Sequence, residues 1–316
     1  MLDHNKPRLD RKAGCFKFTS HLEPITTPIA PNIQGDSDNT ICLLQVAKGT
    51  QYLRLLYYSL LSAAHCLDLH RVDIKIIVAS GVADEAHRLL SGISTTLEII
   101  VVDMPRLAPD VAYGGFKYYP VIGYKTIIVI DADAFWVGNG KLFEALAKNP
   151  PQTLYMPRSS KSGNSLFRAH PDWRQQWDMA GGDDQWLNGP WRDGYITIYP
   201  PAIFGQSWID HANKCMAKGI VNDEIVFNSY ASRIQADFVH SERTSLWKHE
   251  DPRDLHMFHL PSIYHLLASN FWIDPTLRLI HPYTYGIAVR CRVNSNPNEP
   301  RMLEYFEYLE CETKSG

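Results

Sequence analysis

Short apolar runs alternate with amphipathic helical segments along the first half of the chain. Four runs rich in Ile, Val and Leu predict strands buried on both faces, at residues 40–47, 73–79, 96–102 and 126–130. Apolar residues recur at helical spacing between Leu53 and Leu67, and shorter helices are predicted at residues 83–91 and 141–148. Strands that alternate with helices in this way predict an α/β fold with a mostly parallel sheet and right-handed crossovers.

The regular alternation stops after two prolines at residues 150–151. Residues 157–194 are rich in Gly, Ser, Asp and Arg, and they hold four tryptophans, at positions 173, 177, 186 and 191. This composition predicts long functional loops around short elements. The indole rings have two interpretations: they stack on a bound sugar at an acceptor site, or they pack a minor core.

Weaker patterns follow in the second half of the chain. A strand is predicted at residues 195–199, and two helices are predicted to begin at caps formed by Ser207 and Asn222. Strand-like pieces at residues 236–240 and 255–259 each end in a histidine. We expect an amino-terminal arm at residues 1–39, one domain at residues 40–292 and a carboxyl-terminal tail at residues 293–316.

The composition is that of a globular protein with a substantial core. Hydrophobic residues make up 45% of the 316 residues, and the net charge of −3 provides no basic field for nucleic acid or an anionic membrane. No apolar run approaches the roughly 20 residues of a membrane span, and no apolar signal core is apparent at the amino terminus. Six cysteines without a CxxC pair are typical of reduced thiols, so we expect a cytoplasmic protein.

Two carboxylates, Asp131 and Asp133, follow the fourth predicted strand directly and are separated by Ala132. Side chains two residues apart on a strand point to the same side, and open α/β sheets bind ligands where their strands end. Converging carboxylates need a cation between them, and hard oxygen ligands suit Mg²⁺ or Mn²⁺. The plainer interpretation is an acidic strand end followed by a turn.

Two common phosphate-binding patterns are absent. The first predicted strand is not followed by GxGxxG, which argues against a dinucleotide redox site, and the chain contains no GxxxxGK[ST] loop.

The segment that leads into these aspartates resembles a known motif. Phe116 and Lys117, followed by residues 124–133, are similar to the lysine, strand and DxD segment of GT-A glycosyltransferases. The resemblance is to family 8, which contains glycogenin and bacterial lipopolysaccharide galactosyltransferases, and it extends over about residues 40–260. It implies a GT-A fold, in which a Rossmann-like, mostly parallel sheet is flanked by helices and joined to a loop-rich acceptor-side region.

The resemblance also implies a donor site. The first strand and the residues after it, with Gln45, Ala47 and Tyr52, are similar to the uridine-binding edge of the family, although the family prefers threonine where this chain has Gln45. By the same resemblance, the aspartates of the DxD segment would hold Mn²⁺ or Mg²⁺ against the diphosphate of a UDP-sugar. Lys117 would contact the donor.

Two stretches compete for the acid–amide motif of the family. Residues 181–188 contain Asp183, Asp184 and Gln185 and are similar to the glycogenin-type GGDQ segment with one residue inserted. Residues 223–228 begin with Asp223 and Glu224 and keep the spacing to an asparagine, but they have Glu where Gln is common. Both stretches are therefore candidates for the catalytic acids.

The third metal ligand of the family is a histidine on a late strand. His259 is the candidate here and His240 is its rival. Neither is followed by the glycine and Lys-Pro-Trp of the family, so the identity of this ligand stays open between the two.

These patterns predict a divalent-metal-dependent transferase that moves a sugar from a UDP-sugar to a hydroxyl of a carbohydrate or glycoconjugate acceptor. The family resemblance implies a retaining reaction. A Mg²⁺-dependent phosphatase of the haloacid dehalogenase type is the alternative, with Asp183 and Asp184 as its later acids, although Phe135 stands where that class has Thr or Val. A module that binds a nucleotide sugar without catalysis is the third possibility.

Overall fold

A computed structural model describes the chain at residues 33–34, 39–47, 49–102, 121–132, 134–137, 142–148, 150–152, 154, 158–192, 196–220, 222–234, 287–290 and 307–311. Several predicted features therefore lie outside the described residues. These are most of the amino-terminal arm, the two strand-like pieces that end in histidines, and most of the carboxyl-terminal tail.

Five strands form the central sheet. In chain order they are β2 (Ile41–Ala47), β3 (Asp73–Ala79), β4 (Leu97–Val102), β6 (Thr126–Ile130) and β10 (Ile196–Tyr199). Their order across the sheet is β10-β6-β2-β3-β4, and only β10 runs antiparallel to its neighbour. The predicted strands were correct to within one residue at each end, because short β-branched runs with turn residues on both sides are a strong signal.

Three two-stranded sheets accompany the central one. They are β1 (Ile33–Gln34) with β5 (Val121–Ile122), β7 (Ala134–Val137) with β11 (Ile287–Arg290), and β8 (Arg158–Ser162) with β9 (Pro190–Arg192). The helices are α1 (Thr50–Cys66), α2 (Ala83–Leu90), α3 (Leu142–Lys148), α4 (Gly163–Ala169), α5 (Pro171–Ala180), α6 (Gln206–Ala217) and α7 (Asp223–Arg233). Residues 307–311 are also helical.

The central sheet separates two apolar layers. Every residue of β2 and β6 is buried, as expected for strands covered on both faces. Helices α1, α2 and α3 supply the core on one face, which includes Leu56, Ala86 and Phe143. Helices α5, α6 and α7 supply the core on the other face. Among the described residues, no helix combines the length and hydropathy that crossing a membrane requires.

The tryptophan-rich region is more regular than the sequence predicted. Instead of long loops, it contains β8, α4, α5, a 3₁₀ turn at Asp184–Asn188 and β9. Trp177 and Trp191 are fully buried and pack around Phe167, with ring centroids 5.9 Å and 5.6 Å from it. The polar composition concealed this core because a few large rings, widely spaced along the chain, supply most of its apolar surface.

Two glycines end α5 and make room for this core. Gly181 has a φ of +72°, the left-handed conformation that commonly ends a helix. Gly182 follows against the Trp177 indole, where an added Cβ atom would lie 2.2 Å from a ring carbon. The glycine pair therefore has a structural explanation in the packing of Trp177.

The sequence predicted one helix cap for each of α6 and α7. The predicted Asn222 cap is confirmed, since its side chain accepts a hydrogen bond from the Ile225 N–H. The predicted Ser207 cap was wrong: α6 begins after Gly205, and the Ser207 hydroxyl instead bonds the Tyr230 hydroxyl at 2.8 Å. The Ser207 hydroxyl therefore bonds a residue of the neighbouring helix α7 and does not cap the amino terminus of its own helix.

His211 of α6 lies between the two helices with 5% of its surface exposed. Its Nε2 is 2.9 Å from the Ser229 hydroxyl, and its Nδ1 is 3.0 Å from the Arg233 guanidinium. Burial and the neighbouring charge of Arg233 lower the pKa of His211 to about 4. Because arginine can only donate, Nδ1 accepts and the ring is neutral with its proton on Nε2.

We expect this histidine to make stability depend on pH. Its pKa is near 6.5 when unfolded and about 4 when folded, so the unfolded chain binds the proton more readily between these values. The free energy of unfolding should therefore fall by on the order of 3 kcal/mol as pH drops from 6.5 to 4. Urea denaturation at a series of pH values should show a smaller loss in His211→Gln. The same substitution at exposed His170 is the control, and equal pH slopes in all three proteins would contradict this expectation.

We also expect Gly182→Ala to destabilise the fold by about 1–3 kcal/mol, since its Cβ atom would overlap the Trp177 ring. Gly189→Ala is the matched control in the same loop, because its Cβ atom would meet no atom closer than 3.6 Å. Thermal denaturation should separate the two variants clearly. Equal stability of the two would show that the loop does not need a glycine at position 182.

Candidate functional site

The site begins where β6 leaves the central sheet. Asp131 follows the last residue of this fully buried strand and has 9% of its surface exposed, and Ala132 is buried. The Ala134 N–H donates to the Asp131 backbone carbonyl at 3.0 Å, so the chain turns sharply before β7 begins. Asp133, inside this turn, lies outside the described residues.

Among the candidate metal ligands, the structure describes Asp131 alone. Its carboxylate is a hard oxygen donor at the carboxyl edge of the parallel strands, and it fits Mn²⁺ or Mg²⁺ in donor type. Asp133, His259 and the rival His240 all lie outside the described residues. Within the part that is described, no three His, Cys, Asp or Glu side chains gather as a metal site would require.

The candidate donor edge lies beside this turn, where β2 ends and α1 begins. Tyr52, in the first turn of α1, is 41% exposed, whereas Ala47 is fully buried. Gln45 is also fully buried, and its Nε2 donates to the Ser59 hydroxyl at 3.0 Å. The predicted uridine contact at Gln45 therefore corresponds to an amide that faces α1. Lys117 lies outside the described residues.

The amino terminus of α1 provides backbone donors at the same edge. Gly49 precedes the helix and supplies no side-chain cap, and the first turn contains no acidic residue. The first N–H groups of a helix lack partners within the helix and favour negative charge. This end of α1 is thus electrostatically suited to an anionic ligand.

The first candidate acid motif, residues 183–185, stabilises its own loop. Asp183 accepts the Gln185 N–H at 2.9 Å and so begins the 3₁₀ turn. Asp184 accepts hydrogen bonds from Arg174 at 2.9 Å and from the Trp177 indole at 3.2 Å. The bond from Arg174 lowers the pKa of Asp184. All three side chains of the Asp183–Gln185 segment are exposed, and two of them stabilise the loop that follows α5.

The second candidate motif is more enclosed. The Trp191 indole donates to the Glu224 carboxylate at 2.9 Å, and the Trp186 indole donates to the Asn228 side-chain carbonyl at 3.1 Å. Asp223 accepts the Glu224 N–H at 2.9 Å. Two indoles from the tryptophan-rich region therefore hold Glu224 and Asn228 of this motif in fixed positions.

These two motifs lie at opposite ends of α7. The Asp183 N–H donates to the Ser232 hydroxyl at 3.1 Å, near the carboxyl end of the helix. Glu224 is at the amino end, eight residues away, which corresponds to about 12 Å along the axis. If one motif lines the active site, the other motif therefore lies about 12 Å away along the axis of α7.

Strand β10 connects the second motif to the end of β6. Ile196, the first residue of β10, lies opposite Ile130, the residue before Asp131. Trp191 precedes Ile196 by five residues, so their Cα atoms are within about 18 Å of each other. Through Trp191, Glu224 is linked to the segment that precedes β10, whereas Asp183 is bonded to Ser232 near the carboxyl end of α7.

The four tryptophans divide into two pairs. Trp177 and Trp191 are fully buried, so the prediction of sugar stacking does not hold for them. Trp173 and Trp186 are partly buried, and Trp173 stacks on His170 with the ring centroids 4.9 Å apart. The sequence pointed to aromatic rings but could not indicate the bond from Trp191 to Glu224, which joins residues 33 positions apart.

No family model matches this sequence, and no curated protein matches it significantly. Solved structures do match. The bifunctional glycosyltransferase WbbM is 11% identical with a TM-score of 0.52, and the match covers 88% of this chain and 53% of WbbM, so this chain spans about half of that protein. An active-site mutant of LgtC is 9% identical, with a TM-score of 0.49, over 85% of this chain and 95% of that chain.

Mouse xyloside xylosyltransferase 1 is 13% identical with a TM-score of 0.42, and the match covers 80% of this chain and 98% of that chain. At such low identities a structural match shows the fold alone, and the match to WbbM has a TM-score above 0.5. The match to WbbM and the mostly parallel sheet flanked by helices confirm the fold that the family resemblance predicted, and this chain has the GT-A fold.

Proposed function

We propose that this protein is a divalent-metal-dependent glycosyltransferase that moves a sugar from a UDP-sugar to an acceptor hydroxyl, with retention at the anomeric carbon. The observation that supports this most directly is the position of Asp131. It is a nearly buried carboxylate at the carboxyl end of a central strand in a GT-A sheet. Asp133, the second acid of the DxD segment, is two residues further along the chain.

In this proposal the donor binds across the ends of β2 and β6. Asp131 and Asp133 hold Mn²⁺ or Mg²⁺, with His259 as the third ligand. When bound there, the metal would supply positive charge against the charge that develops on the UDP leaving group. The amino terminus of α1 and Lys117 face the anionic part of the donor, and Tyr52 offers an exposed ring beside the nucleoside.

We assign the acid–amide role to Asp223 and Glu224 rather than to residues 183–185. Glu224 is held by Trp191, whose strand leads into β10 beside Asp131. Asp184 is already bound by Arg174 and Trp177 in an exposed loop at the other end of α7. Fixed carboxylates and amides near the sugar would orient its hydroxyls and stabilise positive charge at the anomeric carbon.

The contacts of Asp183 and Asp184 disfavour a phosphatase of the haloacid dehalogenase type. That chemistry needs a later acidic pair beside the DxD segment, to share its Mg²⁺. Asp183 and Asp184, the pair proposed for this role, adjoin the carboxyl end of α7 and stabilise their own loop. A GT-A sheet with three of its strands ahead of β6, the strand that leads into the DxD segment, also differs from a fold whose nucleophile strand comes first.

We expect Asp133→Ala to abolish transfer while the fold stays intact, because a single remaining aspartate binds the metal too weakly. Release of UDP from a panel of UDP-sugars with Mn²⁺ measures the activity, and circular dichroism checks the fold. Phosphate release from sugar phosphates, measured in parallel, tests the phosphatase. Near-wild-type, Mn²⁺-dependent turnover in the variant would refute the metal assignment, and absence of turnover with every donor in the wild type would leave a binding module.

A matched pair of variants distinguishes the two acid motifs. Asp223 and Asp183 each accept one backbone N–H at 2.9 Å, and asparagine keeps that acceptor in both positions. We expect Asp223→Asn to lower kcat by roughly 10²-fold, the usual cost of losing one fixed electrostatic contact to the transition state. Asp183→Asn should change kcat by less than about twofold, since the loop it caps stays formed. The opposite order of effects would move the catalytic acids to residues 183–185.

A further inference from the structure

Three polar side chains lie in the otherwise apolar layer between the central sheet and α1. They are Gln45 on β2 and the α1 residues Ser59 and Ser62, and each has 0% of its surface exposed. Ser59 donates to the Ala134 carbonyl at 2.6 Å, and Gln45 donates to the Ser59 hydroxyl at 3.0 Å. The Ser62 hydroxyl accepts the Trp136 N–H at 2.9 Å. The two serines bond directly to β7, the strand that follows the Asp131 turn, and Gln45 is linked to it through Ser59.

Buried hydroxyl and amide groups are costly unless they replace bonds to water. They are needed here because backbone groups of β7 require hydrogen-bond partners. This strand has left the central sheet, where β6 is paired with β2 and β10, and its strand partner in the described part of the chain is β11. Alternate residues of a strand direct their backbone groups to the same side, so Ala134 and Trp136 both present theirs to α1. The two serines supply the partners that a neighbouring strand would otherwise provide.

The turn that contains the two aspartates is thus held at both ends. Before it, β6 lies between two strands of the central sheet. After it, the backbone of β7 is bonded to α1 through Ser59 and Ser62. Only three residues separate the end of β6 from the start of β7, so the backbone at Asp131 has little freedom.

We propose that Gln45, Ser59 and Ser62 are positioning residues for the metal-binding turn. They act through the backbone of Ala134 and Trp136 and hold in place the start of β7, which follows the turn that begins at Asp131. The inference rests on the proposed function, because it takes these aspartates as metal ligands. It gives Gln45 a role in the donor site different from direct contact with the nucleoside.

Gln45 provides the sharpest test, because a substitution there can change the positioning of the turn without lowering the stability of the protein. Its Nε2 is bonded to Ser59, but its Oε1 is buried and has no hydrogen-bond partner within the described structure. Gln45→Met keeps the length of the side chain and removes the unpartnered oxygen, so the variant should be at least as stable as the wild type. A purely structural role predicts no other change.

The experiment measures Mn²⁺ binding to the full chain in the presence of UDP, from the electron paramagnetic resonance signal of free Mn²⁺. Loss of a group that orients metal ligands typically weakens metal binding 10–100-fold. We expect about a tenfold rise in the Mn²⁺ dissociation constant for Ser59→Ala and Ser62→Ala. Gln45→Met should cause a smaller rise without any loss of thermal stability.

Ser229→Ala is the matched control. Ser229 is an equally buried helical serine, but it bonds the Val226 carbonyl and His211, away from β7. It should lose stability without any change in Mn²⁺ binding. Amide hydrogen exchange supplies a readout independent of metal, because Ser62→Ala should speed exchange of the Trp136 N–H, whose partner it removes.

The outcomes separate the inference from the proposed function. Faster exchange at Trp136 together with weaker Mn²⁺ binding supports the positioning role. Faster exchange with Mn²⁺ binding unchanged in all three variants overturns it and leaves the proposed function standing. Failure of the wild-type protein to bind Mn²⁺ or Mg²⁺ with UDP would overturn the metal assignment and the positioning role with it.

Discussion

The organisation of this protein depends on the cost of placing charge in a dry sheet. Strand β6 is buried along its whole length, and an aspartate follows it immediately. A carboxylate inside the layers needs a partner for its charge, and the chain leaves the sheet at Asp131. The acidic turn therefore lies at the carboxyl edge, where the loops of parallel strands also leave room for a ligand.

Leaving the sheet creates a second problem, which α1 solves. Strand β7 loses its place beside β6, and the backbone groups that it directs towards α1 would lie unpaired in an apolar layer. Two serines on α1 pair with these groups: Ser59 donates to the Ala134 carbonyl, and Ser62 accepts from the Trp136 N–H. The same helix begins at the donor edge with uncapped N–H groups. One helix thus contributes to the fold of the acidic turn and to the electrostatics of the edge beside it.

On the opposite face, the tryptophans join core packing to the candidate chemistry. Trp191 packs its ring against Phe167 and Trp177, and its N–H binds Glu224. Trp177 packs in the same cluster, and its N–H binds Asp184. An indole can do both because its apolar body and its single donor lie in different parts of one rigid ring. Polar residues that resemble a catalytic motif can therefore be held for purely structural reasons, as in the loop after α5.

The sequence alone determined the strands of the central sheet, the α/β class and the acidic end of β6, because buried β-branched runs and their flanking turns are local signals. It could not place Asp223 and Asp183 at opposite ends of one helix, since both stretches have similar residue types. It also suggested nucleoside contact for Gln45, whose amide is directed to Ser59 instead. Those outcomes depend on contacts between residues far apart in the chain. Only the tertiary structure decides which polar group bonds to which partner. Hydrogen bonds between residues far apart in the chain produce no periodic sequence pattern from which they could be predicted.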